Sequence, residues 1–417
     1  MRHAATILRA NARGSHGRGG RRRRARSVMP ADRTRHPHRF TKETTMLGRR
    51  TLIGTLLAAM AACSAPAARD DSPPTAVEDT LVAEHARTIA AMKPPKRARP
   101  VIAVIAHNDG TETTDFVVPY AVLAASRAAD VFAVAPDNGP IRLVPALAVA
   151  PQLTLEQFTA RYPHGADYVI VPKLEHTADP TIVAWIQDEA ARGAIIVGIC
   201  SGVKTVAAAG LLEDRAATGH WFDLEGLRAE HPTMRWVRDR RYVVDRGVVT
   251  TTGVSASLPV SLALVEAIAG RRRATALAQE LGVDRWDEEH DSAAFFLDAT
   301  SKRTAEHNQA MQPKDVLALP VATGVDDIAL AFTADAWSRT FRSKAVTVAS
   351  EPAIPTRYGL QLIPDAQRSV AGAPVLPAPQ PTRAAQALPT TLREIEDRYG
   401  GDTARFVALQ LEYAWAR

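Results

Sequence analysis

The chain has 417 residues, 46% of them hydrophobic, which is enough for one large core with accessory elements or for two modest domains. The formal net charge of +6 is concentrated in residues 1–45, where Arg21 to Arg24 stand among only two acids. Past that segment the balance is slightly acidic, so we predict no nucleic-acid partner.

Residues 46–63 have the parts of a secretory signal. Arg49 and Arg50 give a short positive region, and an apolar stretch of about ten residues follows before Cys63. This stretch is too short for a membrane span. We therefore predict an exported protein and interpret residues 1–45 as a basic leader or misassigned upstream sequence.

The end of the signal suggests two alternatives. Arg49 and Arg50 resemble a twin-arginine signal, and the run from Met60 to Cys63 resembles a lipoprotein cleavage box. The prediction is a periplasmic protein or a lipoprotein anchored to the membrane by a lipid on Cys63. An ordinary signal cut near Ala65 or Ala67 is the alternative.

Cys63 and Cys200 are the only cysteines in the sequence. One lies at the signal boundary and the other in a buried-looking element, so the sequence excludes a disulfide framework.

The order of elements predicts an α/β fold. Uninterrupted β-branched runs at 101–106, 131–135, 168–171 and 194–199 alternate with helix-length segments, which is typical of parallel strands buried on both faces. We predict a doubly wound, mostly parallel, flavodoxin-like sheet sandwiched by helices, with a mainly helical C-terminal extension. The predicted helices cover 116–125, 180–191, 203–212 and 258–269, and β segments at 234–237, 242–245 and 248–252 extend the sheet.

The predicted organisation has six parts. They are the leader (1–45), the signal peptide (46–63), a linker (64–97), the α/β domain (98–270), an accessory C-terminal region (271–349), and a Pro/Ala-rich linker with a terminal helix (350–417).

The residues around Cys200 predict a strand-to-helix elbow. Gly198, Cys200 and Gly202 have the Gly-x-nucleophile-x-Gly spacing, in which the glycines relieve crowding at a sharp turn. A side chain at this turn faces backbone N–H groups and the positive end of a helix, so we predict a lowered thiol pKa. The alternative is a small buried cysteine at the end of a strand.

His220 follows on a segment that we predict to be the next strand. Neighbouring strand ends meet at one edge of a sheet, so Cys200 and His220 would pair there as nucleophile and base. The alternative is a packed or surface histidine beside Trp221.

The stretch from Gly198 to Trp221 resembles the ThiJ/PfpI family of the class I glutamine amidotransferase-like superfamily. Segments from Asp115 to Leu123 and from Thr252 to Ala256 match in the same order, so the resemblance covers residues 98–270. It is nearest to the branch that contains isocyanide hydratases and the sensor domains of AraC-type regulators, in an exported long form.

The resemblance implies that Cys200 is the nucleophile, that Asp115 is its acidic partner, and that His220 is a third member. A carboxyl group beside a thiol shares a proton when burial raises its own pKa. Asp115 has the alternative of a helix N-cap, and Asp109 and Glu112 are competing acids on the same loop.

Two positions depart from the family's pattern. Residues 172–176 replace a Gly pair that often supplies an oxyanion-type backbone donor, and Ala121 replaces a glutamate. Solvent-facing loop positions are the alternative for Lys173 and His176. The predicted substrate and oxyanion neighbourhood consists of Gly198, Ser201, Gly202, Lys173 and His176.

These patterns predict an exported cysteine-dependent hydrolase, hydratase or lyase that acts on a small molecule. The alternatives are a non-catalytic ligand-binding or oxidant-sensing module and a transcriptional-regulator-like sensor. We predict no cofactor. We also predict no metal, because Glu289, His290 and Asp291 are adjacent and point in different directions on a helix. A homodimer is the expectation implied by the resemblance.

Overall fold

The computed structural model describes residues 76–415. The predicted leader, signal peptide and Cys63 lie outside the described residues. Within the described part, no helix is both long and apolar enough to cross a bilayer.

The secondary structure alternates between strands and helices through most of the chain. The strands are β1 (Val101–Ile105), β2 (Thr111–Glu112), β3 (Asp130–Ala135), β4 (Ile141–Val144), β5 (Ala148–Ala150), β6 (Leu153–Thr154), β7 (Tyr168–Val171), β8 (Ile195–Gly198), β9 (Ala216–Ala217), β10 (Arg235–Trp236), β11 (Tyr242–Asp245), β12 (Val248–Thr251), β13 (Asp315–Pro320), β14 (Ser343–Ala349), β15 (Ile354–Pro355), β16 (Gln361–Leu362) and β17 (Ala366–Gln367). The helices are α1 (Ala76–Ala91), α2 (Thr113–Ser126), α3 (Leu155–Arg161), α4 (Pro180–Ala191), α5 (Val203–Ala208), α6 (Leu224–Glu230), α7 (Ser257–Ala269), α8 (Arg271–Leu281), α9 (Ala299–Ala310), α10 (Asp327–Ser338), α11 (Ala387–Tyr399) and α12 (Gly401–Leu411).

The central sheet has the strand order β11-β12-β8-β7-β1-β3-β6. Its strands are parallel except β11, which pairs antiparallel with β12 at the edge. Every residue of β1, β7 and β8 is buried, as expected for central parallel strands covered on both faces. The predicted fold class is confirmed.

Alternate residues of β1 enter two different hydrophobic cores. Ile102 and Val104 pack in the core that includes α2 and α7, whereas Ala103 and Ile105 pack in the core that includes α4 and α5. This alternation follows from the two-residue period of a strand, and it makes the domain a three-layer sandwich.

The C-terminal region is built on the first of these cores. Strands β13, β14 and β17 form a parallel three-stranded sheet, α10 packs against α2, and α11 and α12 pack against each other. The helices over 384–411 agree with the helical extension that the sequence predicts, and the small sheet is an addition to it.

The exposed linker expected after residue 350 is different in the structure. Ile354 and Leu362 are fully buried, and β16 pairs antiparallel with β5 of the α/β domain. The composition of this segment did not predict its burial, because the segment contributes only isolated apolar residues, and these pack on a surface formed by other elements.

Two further predictions are wrong in detail. The helix expected over 203–212 ends at Ala208, and the chain then turns through Gly210, whose φ is 72°. The segment expected at 234–237 contains β10, which pairs with β9 in a separate two-stranded sheet and does not extend the central sheet.

Candidate functional site

Cys200 lies directly after β8, at the turn into a short 3₁₀ segment that leads to α5. Its φ is 55°, a left-handed backbone conformation that non-glycine residues seldom adopt and that is costly unless the surroundings hold it. A Cβ on Gly202 would lie 2.1 Å from the carbonyl oxygen of Val171 at the end of β7. Only glycine permits this close approach, so the predicted elbow is present.

The Cys200 thiol is held by its immediate neighbours. The backbone N–H of Ser201 donates to the sulfur, and the N–H of Cys200 donates to Thr251 Oγ1 at 3.0 Å. Ser201 Oγ lies 3.8 Å from Cys200 Sγ and donates to Asp223 Oδ2 at 2.5 Å. The thiol is therefore enclosed by polar contacts from its own turn and from the end of β12.

The electrostatic surroundings hold the thiol in its protonated form. Cys200 is 3% exposed, and burial raises the pKa of its thiol well above the usual range. The charges of Asp115, Glu112 and Asp223 raise it further, and the Ser201 N–H opposes them. The prediction of a lowered thiol pKa is therefore wrong for this conformation, because desolvation and three acids outweigh the donor at the turn.

Asp115 is fully buried in the first turn of α2. Its Oδ2 accepts from the N–H of Lys173 at 3.2 Å, and its Oδ1 accepts from Ser257 Oγ at 3.4 Å. Burial raises the pKa of Asp115 to about 7, against the lowering effect of the Lys173 N–H. The N-cap of α2 is Glu112, whose side chain accepts from the N–H of Asp115 at 2.5 Å, so the cap alternative for Asp115 is wrong.

Arg339, at the C-terminal end of α10, contributes a cation to the site from 227 residues further along the chain. It forms ion pairs with Glu112 and with Asp335, the latter at 2.6 Å, and Asp335 also accepts from Thr114 Oγ1 at 2.7 Å. Burial acts to lower the pKa of Arg339, but Asp335, Glu112 and Cys200 raise it on balance. Its charge therefore acts on the thiol as well as on the acids.

The acid cluster of Glu112, Asp115 and Asp335 has Arg339 as its cation. Burial raises the pKa of Glu112 well above its usual range, and Asp115 and Asp335 add to the effect. Arg339 was not assigned to the site from the sequence. The available signal was the i, i+4 spacing of Asp335 and Arg339 at the end of a mostly apolar helix.

His220 is buried, and both of its ring nitrogens bond backbone groups. Its Nδ1 accepts from the N–H of Phe222 at 3.2 Å, so Nε2 is the protonated nitrogen and donates to the carbonyl oxygen of Gln410 at 3.1 Å. Within residues 76–415, no hydrogen bond joins it to Cys200. The strand beside β8 is β12, and His220 lies in a turn after β9.

The end of α12 packs over the same edge of the sheet. Glu412 contacts Gly253, accepts from the N–H of Trp221 at 3.2 Å, and pairs with His290 Nε2 at 2.9 Å. Gln410 Nε2 donates to the carbonyl oxygen of Arg339 at 3.0 Å. The C-terminal region therefore encloses residues on both sides of the elbow.

The loop after β7 reaches the site through its backbone. Lys173 donates its N–H to Asp115 and accepts from the N–H of Glu112 at 2.9 Å, while its ammonium group forms an ion pair with Glu175. His176 is exposed, and its ring centroid lies 4.6 Å from that of His107. Of the two loop residues predicted to line the site, Lys173 therefore lies beside the acids, whereas His176 lies at the surface.

Known proteins resemble the α/β part of the chain. Residues 101–267 match the DJ-1/PfpI family model. Among curated proteins, none matches the chain. Similar solved structures include a ThiJ/PfpI family protein from Pseudomonas syringae, with a TM-score of 0.40 and 25% identity over 45% of this chain and 76% of that one.

Two DJ-1 structures are also similar. Drosophila melanogaster DJ-1beta has a TM-score of 0.40 and 18% identity, covering 45% of this chain and 100% of that one. Oxidized Toxoplasma gondii DJ-1 has a TM-score of 0.39 and 19% identity, covering 45% of this chain and 100% of that one. The family match spans β1 into α7 and includes Asp115 and Cys200, so the similarity to the DJ-1/PfpI family covers the α/β part of the chain and the elbow.

Proposed function

We propose that this protein is a cysteine-dependent hydrolase, hydratase or lyase in which Cys200 is the nucleophile and Asp115 accepts and returns its proton. The observation that carries the proposal is the left-handed backbone at Cys200, together with the buried Asp115, whose charge acts on the thiol and whose pKa is about 7. Strain at a non-glycine residue persists where the surrounding structure holds it, and such positions cluster at functional sites.

The proposed reaction begins with a neutral thiol. As Cys200 Sγ forms a bond to an electrophilic carbon of the substrate, the thiol proton passes to the carboxylate of Asp115. Asp115 then protonates the departing or newly anionic atom. Water attacks the carbon, its proton returns through Asp115 to the sulfur, and the S–C bond breaks. A group with a pKa near 7 is well suited to both transfers at neutral pH.

The site favours a small substrate that carries no negative charge. Cys200 is almost completely buried. The charges of Asp115, Glu112 and Asp223 act on its thiol, against one nearby cation, Arg339. An anionic substrate would add to the repulsion that already raises the thiol pKa. Amides, isocyanides and α-oxoaldehydes are neutral electrophiles of suitable size.

The experiment measures alkylation of Cys200 by a small neutral thiol reagent across pH, in the wild type and in Asp115→Asn. We expect a wild-type apparent thiol pKa above the free value and a downward shift in Asp115→Asn, because the variant removes one of the acids that raise it. The same proteins are then screened with the three substrate classes, with Cys200→Ser as the control. Turnover that survives Cys200→Ser would overturn the proposal.

An oxidant-sensing module is the second candidate. The raised thiol pKa and the burial of Cys200 should slow oxidation, because peroxide oxidises an accessible thiolate, so Cys200 would react only after the covering elements move. A ligand-binding or transcriptional-regulator-like sensor remains a third proposal. The distinction is made by peroxide treatment followed by mass spectrometry. Sulfenic acid at Cys200 without turnover of any neutral electrophile supports the sensor.

Export is a separate proposal, supported by the sequence of residues 46–63. We propose a periplasmic location or a membrane anchor through a lipid on Cys63. Mass spectrometry of the mature N-terminus tests both, and a mature chain that begins at Met1 would contradict export. The homodimer stays a prediction that sedimentation velocity can check.

A further inference from the structure

The carboxyl ends of β1 and β7 lie side by side in the central sheet, and each is followed by a loop that carries a histidine. His107 comes two residues after β1, and His176 comes five residues after β7. The two loops are tied by a bridge between Thr111 and Leu174 and by the bond from the N–H of Glu175 to the carbonyl oxygen of Gly110 at 2.9 Å. In open α/β sheets, ligands bind outside the carboxyl ends of the strands.

Three metal-ligating side chains converge between these loops. His107, Asp109 and His176 each place one ligand atom within 4.8 Å of the other two. The imidazole rings of His107 and His176 have centroids 4.6 Å apart and an interplanar angle of 52°. The cluster has two nitrogen donors and one oxygen donor, a set that suits a transition metal better than Ca²⁺ or Mg²⁺.

The hydrogen bonds of His107 leave one nitrogen unprotonated. Nδ1 accepts from the N–H of Asp109 at 3.1 Å, so Nε2 is the protonated nitrogen, and Nε2 faces Asp179 Oδ2 at 3.7 Å. Asp179 is itself held, because its Oδ1 caps α4 by accepting from the N–H groups of Thr181 and Ile182, each at 3.0 Å. A carboxylate behind a histidine in this way is the usual second contact of a metal-bound imidazole.

We infer that His107, Asp109 and His176 form a binding site for a divalent transition metal, with Zn²⁺ the best match and water as the fourth ligand. Zinc bonds of about 2.0–2.1 Å place tetrahedral ligand atoms roughly 3.3 Å apart, so the three atoms must close by up to about 1.5 Å. Asp109 and His176 are exposed side chains that can rotate, and Nδ1 of His107 exchanges one backbone hydrogen bond for the metal.

The prediction of no metal rests on one contiguous stretch of acids and histidine, residues 289–291. The three ligands of this site come from two loops about 67 positions apart in the chain, and only the pairing of β1 with β7 brings them together. A bound metal would join the loop that leads to Asp115 to the loop whose Lys173 N–H contacts it. Because it binds the folded form, it would also stabilise the protein.

The experiment titrates the full chain, first stripped with a chelator and dialysed, with Zn²⁺ against a chromophoric competitor. A parallel Co²⁺ titration records the visible absorption of a four-coordinate site. The wild type should bind one more Zn²⁺ tightly than His107→Ala and His176→Ala, and Asp109→Asn should bind at least about 10-fold more weakly. Asp179→Asn keeps an N-capping side chain and should lose about 10–100-fold in affinity.

Matched controls separate this site from other ligands on the chain. His164→Ala changes an exposed histidine elsewhere, and Cys200→Ser removes the thiol; both should bind like the wild type. Circular dichroism confirms that each variant is folded. Equal stoichiometry and affinity in the wild type, His107→Ala and His176→Ala would overturn the inference, and so would loss of the site in Cys200→Ser. Neither result would bear on the thiol reaction, which alkylation measures separately.

Discussion

Two charge networks, one buried and one partly buried, join distant parts of this chain, and they are built differently. Around Cys200, Arg339 stands among the carboxyl groups of Glu112, Asp115 and Asp335. Near the N-terminal end of the described residues, His85 on α1 lies between Glu266 and Glu288, at 3.3 and 3.1 Å.

The difference lies in the ratio of acids to cations. The second network also contains Arg271, which pairs with Glu266, so its charges are nearly balanced. Hydrogen bonds that His85 donates to Glu266 and Glu288 raise its pKa to about 9. Burial acts to raise the pKa of Glu266, but His85, Trp286 and Arg271 lower it on balance. In the first network burial raises the pKa of both Glu112 and Asp115, and the charge of Asp335 adds to the effect on each. A network with balanced charges stabilises the fold, whereas a carboxyl group with a raised pKa in an acid-rich network can hold a proton for transfer.

The largest effect should come from the excess acid. Asp115→Asn removes the proton acceptor while conserving shape, so we expect kcat/KM to fall by about 10²–10⁴-fold on whichever substrate the screen identifies. In the wild type, kcat/KM should rise with pH through about 7, because the proposed base must be ionised. Asp188→Asn, on an exposed side chain of α4, is the matched control and should keep that pH limb.

Removing the cation from the first network tests whether the C-terminal region is part of the site. Arg339→Met leaves Glu112 and Asp335 buried without their partner, so we expect a loss of about 3–5 kcal/mol in the free energy of unfolding. Urea denaturation measures it. Arg339→Lys keeps the charge and should lose less. An unchanged midpoint in Arg339→Met would contradict the proposed coupling between the two regions.

The balanced network predicts a pH dependence of stability. The folded-state pKa of His85 is raised above its unfolded value of about 6.5, so its contribution is complete below that value and is lost as pH rises through about 9. With allowance for solvent screening, we expect a loss of about 2 kcal/mol between pH 6 and pH 10. Urea denaturation of His85→Gln at the same pH values should show a flatter dependence.

An exposed ion pair gives the smallest effect and a baseline for both networks. Arg405 pairs with Asp402 on the surface of α12, where both side chains are substantially exposed. Arg405→Ala should change the free energy of unfolding by less than about 0.5 kcal/mol. A loss as large as that of Arg339→Met would show that α12 is held by something other than the buried contacts described above.

The predictable parts of the fold are those that residues close together in the sequence determine. The sequence predicts β1, β7 and β8 as central strands because a parallel strand that is buried on both faces must be apolar along its whole length. Strand β16 was missed because its two residues carry no periodicity, and its burial depends on pairing with β5. The same limit explains why His220 was expected on the strand beside β8, a position that β12 occupies.

The sequence by itself determined the α/β class and the elbow at Cys200. These depend on residue spacing and on steric limits at a turn, both of which act over a few positions. The tertiary structure alone decided the raised thiol pKa and the hydrogen-bond partners of His220. It also decided the ion pair of Arg339 with Glu112 and the contact between His107 and His176. Burial and Coulomb interactions depend on distances in space, and those distances exist only once remote segments have packed together.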